Sequence, residues 1–251
     1  MKLVYLGGIS TSIVLILGLI MVLPPFLQPE PKQQVLLSFS ISDSENLSHW
    51  CDELSSILFK EKIKAAVFIS GEFAKEFPQC VTSFSNDIDI GSQAFHYSPI
   101  TKISAYSLQL DEIQKGKKTI DEIGNLDTKL FKAPYGKTDD NIYSLLSHSD
   151  IQADFSYKDQ YNKFHEDQFI WFKIKSYDSS DYANSITPII SNIESQGKQI
   201  PIVINFDEKI SIEEIDEILI DLKSKNFEFV NASDLVGYDL TKRNDGQRES
   251  T

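Results

Sequence analysis

Leu130-Phe131-Lys132-Ala133-Pro134-Tyr135-Gly136 reads as a short buried strand ending in a Pro-Tyr-Gly turn. Three other apolar runs share this form, each meeting polar residues at its C-terminal end: Leu37-Ser38-Phe39-Ser40-Ile41-Ser42, Ile90-Gly91-Ser92-Gln93-Ala94-Phe95-His96-Tyr97 and Ile202-Val203-Ile204-Asn205-Phe206-Asp207. Between them, strand and helix patterns alternate. The spacing predicts strands over 34–39, 65–69, 87–94, 129–133, 151–157, 169–174, 201–206 and 227–230. Helices are predicted over 45–59, 71–77, 104–123, 139–147, 182–195 and 211–224, with Pro188 as a kink in the fifth. Such alternation builds parallel βα units, and about seven strands in one domain favour a distorted (β/α) barrel over a doubly wound sheet. No G-x-G-x-x-G follows the first strand, which argues against a dinucleotide fold. Functional residues of a parallel barrel lie at the C-terminal ends of its strands.

The ends of the chain carry different signals. From Leu3 to Leu23 no residue is charged, enough to cross a bilayer as one helix. Pro24-Pro25-Phe26-Leu27 follows instead of a small-residue cleavage site, so residues 1–27 read as an uncleaved signal anchor. Residues 28–33, rich in proline, read as a stiff spacer, 34–238 as the folded α/β domain, and 239–251 as a polar tail. This order puts the domain outside the cytoplasm, tethered to a membrane through residues 3–23. The formal charge of −13 excludes a nucleic-acid binder, which needs a basic face. The only arginines, Arg243 and Arg248, fall in the tail, so the folded region is expected to hold no guanidinium fork. Cys51 and Cys80 are the only cysteines; outside the cytoplasm they form a disulfide or stay as two buried thiols, and sequence alone leaves both open. Asn46-Leu47-Ser48 and Asn231-Ala232-Ser233 are glycosylation-type triplets compatible with export.

In order, spacing and flanking strands, the four landmarks resemble the polysaccharide deacetylase (NodB-homology) family over most of residues 35–236. The resemblance implies a NodB-like barrel, and it assigns a role to each strand end. Members carry Thr-Phe-Asp-Asp-Gly after the first strand, the first aspartate as base and the second as metal ligand. Here those positions hold Ser40 and Ile41, neither of which can do that work. The family's His-x-x-x-His pair falls on Gln93 and Tyr97, its base-ordering arginine on Lys132, and its oxyanion-binding backbone N–H on Tyr135. An Asp-x-x-x-Trp-like stretch corresponds to Tyr157-Lys158-Asp159-Gln160-Tyr161, and the Leu-His pair falls on Asn205-Phe206, so phenylalanine replaces the acid.

Deacetylation needs an electrophile, a base and an acid, and all five positions that supply them are changed. The sequence therefore predicts a membrane-anchored, catalytically inactive deacetylase-like protein without a cofactor. Its old groove, with Gln93, Tyr97, Lys132, Tyr135, Tyr161 and Asn205, would bind a cell-surface glycan or an envelope protein. Tyr97, Tyr135, Tyr161 and Phe206 would offer stacking surfaces. The alternative is an active hydrolase of N-acetylated or O-acetylated carbohydrate, using zinc or another divalent metal and relocated residues such as Asp43, His96 and Asp207.

Overall fold

A computed structural model of the chain describes residues 32–42, 47–139, 141–165, 168–179, 191, 200–225 and 227–243. The chain divides into two units, Met1–Lys32 and Gln33–Thr251. The segment read as a membrane span, Asp43, Asn46 and most of the helix read over 182–195 lie outside the described residues. Among those described, no helix is long and apolar enough to cross a membrane.

The strands follow in chain order: β1 (Gln34–Ile41), β2 (Ala65–Ile69), β3 (Ile88–Ser92), β4 (Leu126–Thr128), β5 (Leu130–Phe131) and β6 (Ala153–Asp154). They continue as β7 (Gln160–His165), β8 (Gln168–Lys173), β9 (Lys175–Asp178), β10 (Ile202–Asp207), β11 (Glu228–Phe229) and β12 (Thr241–Arg243). Ten of them form one sheet in the order β8-β7-β6-β5-β3-β2-β1-β10-β9, with β11 paired to β1. From β9 across to β6 every pairing is parallel. Within this sheet only β6-β7-β8 run antiparallel among the described residues, and β4 and β12 form a separate two-stranded antiparallel sheet. Asp159, just before β7, joins the far edge: its carbonyl accepts from the Ile174 amide at 3.1 Å and its Oδ1 from the Ser176 amide at 2.7 Å. The result is a nearly closed, mostly parallel α/β barrel.

Alternation along each strand sorts the side chains into two layers. Leu36, Ala66, Phe68, Leu130, Ala153, Phe155 and Val203 pack inside the barrel. Leu37, Phe39, Ile41, Val67, Ile69, Ile204 and Phe206 pack outward with α1 (Leu47–Glu61) and the helix Ile212–Ser224. Local chemistry starts these helices where they start. Ser211 and Glu214 form a capping box at the head of Ile212–Ser224, and Asn231 and Asp234 form another before Ala232–Val236. Cys51 on α1 and Cys80 in the short helix Gln79–Thr82 are joined by a disulfide, with Cα atoms 5.1 Å apart.

Three sequence expectations are corrected. The tail does not begin at 239: Thr241–Arg243 pairs antiparallel with Leu126–Thr128, and Arg243 donates to the carbonyls of Phe84 and Ser85, both at 3.1 Å. The folded region therefore does contain a guanidinium. Residues 157–161, read as a landmark, lead into the unforeseen hairpin β7-β8. The strand expected over 151–157 shrinks to Ala153–Asp154, because the chain turns at Asp154 to bond its own Ser156 amide at 2.9 Å.

Candidate functional site

The inward positions at the strand ends converge on one groove of about 380 Å³. In β1 the inward series Leu36, Ser38, Ser40 runs from the apolar interior to the groove; its register partners on β10 are Asn205 beside Ser38 and Asp207 beside Ser40. Gln93 continues β3, and Lys132 continues β5. Ser40, Gln93, Tyr97, Lys132, Tyr135, Ser156, Tyr157, Asp178, Asn205 and Asp207 all line the groove.

A hydrogen-bonded chain crosses its floor. Lys132 Nζ donates to Ser38 Oγ at 3.1 Å and to Asn205 Oδ1 at 2.9 Å, and Asn205 Nδ2 donates to Asp178 Oδ1 at 3.0 Å. Burial pushes the Lys132 ammonium down to about 8, while the Asp178 charge pulls the other way. Its ammonium also lies 5.3 Å from the centre of the Phe68 ring. Gln93 is 1% exposed, and its Oε1 has no hydrogen-bond partner among the described residues. At the mouth, Tyr97 and Tyr135 pack ring to ring with centres 4.7 Å apart. Burial raises the Tyr97 phenol, helped by Tyr135 and the Glu208 carboxylate, so it stays protonated. Tyr135 is 60% exposed and holds a left-handed backbone, φ 57°, within the Pro134–Gly136 turn. Its ring packs on Tyr97 and stays largely exposed instead of joining the core.

Gln93, Tyr97, Lys132, Tyr135 and Asn205 thus meet as the sequence reading expected, with Ser40 and Asp207 among them. Tyr161 does not join them. Its side chain points into the barrel, stacked on Phe155 at 4.9 Å and Phe172 at 5.3 Å, and its hydroxyl donates to the Leu235 carbonyl. Phe206 borders the groove, but its ring turns outward and stacks on Phe39 at 5.0 Å, so it offers no stacking face. Ile41 is likewise fully buried in the outer layer. His96 lies apart from the groove lining, its Nδ1 3.1 Å from both oxygens of Glu112. Sequence reasoning missed Asp178, because it ended the strand at 174. The short run Lys175-Ser176-Tyr177-Asp178, with a carboxylate at its end, was the available signal.

The family's metal does not fit this set. The position of its aspartate ligand is a buried isoleucine, and the two imidazole positions supply one amide oxygen and one protonated phenol. A divalent metal in such a scheme needs about three good protein ligands. Among the described residues no group of three His, Cys, Asp or Glu could hold an ion.

The sequence model described as polysaccharide deacetylase matches residues 28–153, half of the 251-residue chain. No curated protein matches significantly. Among solved structures, the peptidoglycan deacetylase PdaC from Bacillus subtilis is similar with a TM-score of 0.60 at 17% identity, over 84% of this chain and 93% of that one. A family 4 carbohydrate esterase from Streptomyces lividans, solved with acetate, gives 0.57 at 20% identity, covering 78% and 90%. A CE4 family pseudoenzyme from Bacillus anthracis gives 0.61 at 16% identity, covering 83% and 66%. At these identities the structural likeness is one of fold. Together with the sequence match, it places the chain: it belongs to the polysaccharide deacetylase family.

Proposed function

We propose that this protein is a membrane-anchored, extracytoplasmic member of the family that binds an N-acetylated glycan in its groove without hydrolysing it. One observation carries the reading. Where the family keeps base, metal ligands and acid, this chain has a serine, a packed isoleucine, a glutamine, a tyrosine packed at a tilt on Tyr135, and a packed phenylalanine. What remains is binding chemistry. Tyr135 supplies an exposed ring, and the Gln93 Oε1, unpartnered among the described residues, supplies an acceptor for a hydroxyl or amide N–H. Lys132, with two of its three protons engaged, keeps one donor for a carbonyl or hydroxyl oxygen. The Cys51–Cys80 bridge supports an oxidising compartment, in keeping with export past the apolar run at 3–23. A relative bears on the reading too: the Bacillus anthracis protein is itself described as a pseudoenzyme.

The hydrolase alternative keeps one supporting feature, the carboxylate of Asp207 in the groove lining. Calorimetry with N-acetylglucosamine oligosaccharides, paired with an acetate-release assay with and without zinc, tests the two. The binding reading expects saturable binding that Lys132→Ala and Tyr135→Ala each weaken about tenfold or more, with acetate release at the blank. Zinc-dependent acetate release lost in Asp207→Asn would overturn it.

A further inference from the structure

Lys132 stands where a lysine is hard to keep charged. It directly follows β5, lines the groove, and its Nζ lies 5.3 Å from the centre of the fully buried Phe68 ring. Its two hydrogen-bond partners, Ser38 Oγ and Asn205 Oδ1, are neutral acceptors. The Asp178 carboxylate is one step removed, because the Asn205 amide stands between and donates its Nδ2 proton to it. Buried charges are normally paired directly with an opposite charge; here an amide takes that place. The other titratable groups of the lining are Tyr97, Tyr135, Tyr157, Lys158 and Asp207, and among the described residues Nζ hydrogen-bonds to none of them.

An ammonium has three protons and no lone pair, whereas a free amine has two protons and one lone pair. Two protons suffice for Ser38 and Asn205, so deprotonation breaks neither bond and opens a lone pair at the third position. Burial lowers the Lys132 ammonium to about 8. That leaves roughly a tenth of it as free amine at pH 7, against fewer than about one in a thousand for an exposed lysine.

We propose that Lys132 is a nucleophilic amine that condenses with a small hydroxylated aldehyde or ketone in the groove to form an imine. Lysine amines desolvated in this way are the ones that form Schiff bases. The nitrogen lone pair attacks the carbonyl carbon, and the carbonyl oxygen takes up a proton to give a carbinolamine. Loss of water then leaves a C=N bond, so one amine and one carbonyl compound give one imine and one water, with no oxidant or reductant. The lining suits hydroxyl groups on the partner: the buried Gln93 Oε1, unpartnered among the described residues, and the Asp207 carboxylate both accept from them. A groove of about 380 Å³ admits a molecule of that size. The proposal needs only the amine and the groove, and it does not depend on the glycan-binding reading.

The test incubates the full chain with glycolaldehyde and cyanoborohydride, which reduces an imine to a stable secondary amine, and reads the labelling rate of each lysine by peptide mass spectrometry. At pH 7 Lys132 is expected to react at least about tenfold faster than Lys60 and Lys118, whose side chains are 74% and 75% exposed. Its rate is expected to level off above pH about 8, while theirs keep rising. Asn205→Asp, which sets a carboxylate against Nζ, is expected to slow Lys132 about tenfold at pH 7 and to leave Lys60 unchanged. A melting curve checks the fold of that variant. Lys132 reacting no faster than Lys60 and Lys118, or equally fast in folded Asn205→Asp, overturns the proposal. Oligosaccharide binding is read separately by calorimetry, so either result leaves the glycan reading to its own test.

Discussion

Asp154 shows at the scale of one residue what burial does to this domain. It is fully buried, its Oδ1 accepts from the Ser156 amide at 2.9 Å, and its Oδ2 has no partner among the described residues. Burial pushes its carboxyl up to about 6. Between pH about 4 and 6 the folded protein holds a proton that the unfolded chain has released, so stability falls as pH rises through that window and is flat above it. Two pH units at about 1.4 kcal/mol each make the ionised form cost up to ~3 kcal/mol at neutral pH. Asp154→Asn, which keeps the acceptor and removes the charge, should raise stability at pH 7 by up to that amount and leave it little changed at pH 4. Urea unfolding at the two pH values checks this, and an equal effect at both would refute it. Asp154 was invisible as a special residue in the sequence, because nothing there fixes which way a side chain faces at a strand end. The replaced groups were legible, since Ser40 and Ile41 lack a carboxylate in any orientation. Phe206 was misjudged for the same reason as Asp154: one residue's shift in facing separates a groove wall from a core stack.

Among the elements, those with strong periodicity were read well and short or paired ones poorly. The helix expected over 104–123 lies at Tyr106–Gly124, its boundary set by Asn125 in a left-handed cap, φ 51°. The hairpin β7-β8 escaped because residues 166–167, Glu-Asp, carry no Asn-Gly or Gly-X turn signal. The pairing of β12 with β4 escaped because three polar residues, Thr241–Arg243, have no apolar pattern at all. The Cys51–Cys80 bridge, left open by the sequence, ties α1 to the helix Gln79–Thr82 across 29 residues of chain. Closing a loop of that size removes unfolded-state entropy worth about 3 kcal/mol. For a domain of this size that is roughly 6–12 °C in melting temperature. A Cys51→Ala, Cys80→Ala double variant should melt lower by about that interval while keeping its circular dichroism spectrum. An unchanged melting temperature would mean that the helix packing alone holds this corner.

At the scale of the molecule, the chain divides into two units, Met1–Lys32 and Gln33–Thr251. The unit from Gln33 to Thr251 contains the barrel with its inner and outer cores and, among the described residues, the whole groove lining. The groove residues named above all belong to this unit, so groove binding is expected of it alone. A chain beginning at Gln33 should fold in one cooperative transition, stay in the soluble fraction, and bind oligosaccharides within about twofold of the full chain's affinity. The full chain should sediment with membranes and be released only by detergent, because some 20 consecutive uncharged residues partition into hydrocarbon where a carboxylate-rich domain of net negative charge does not. Fractionation of both proteins followed by calorimetry separates the two expectations. A soluble full chain would remove the anchor, and a folded but non-binding fragment would place part of the binding site in residues 1–32. Retained affinity in the fragment would assign recognition to the barrel and location to the leader.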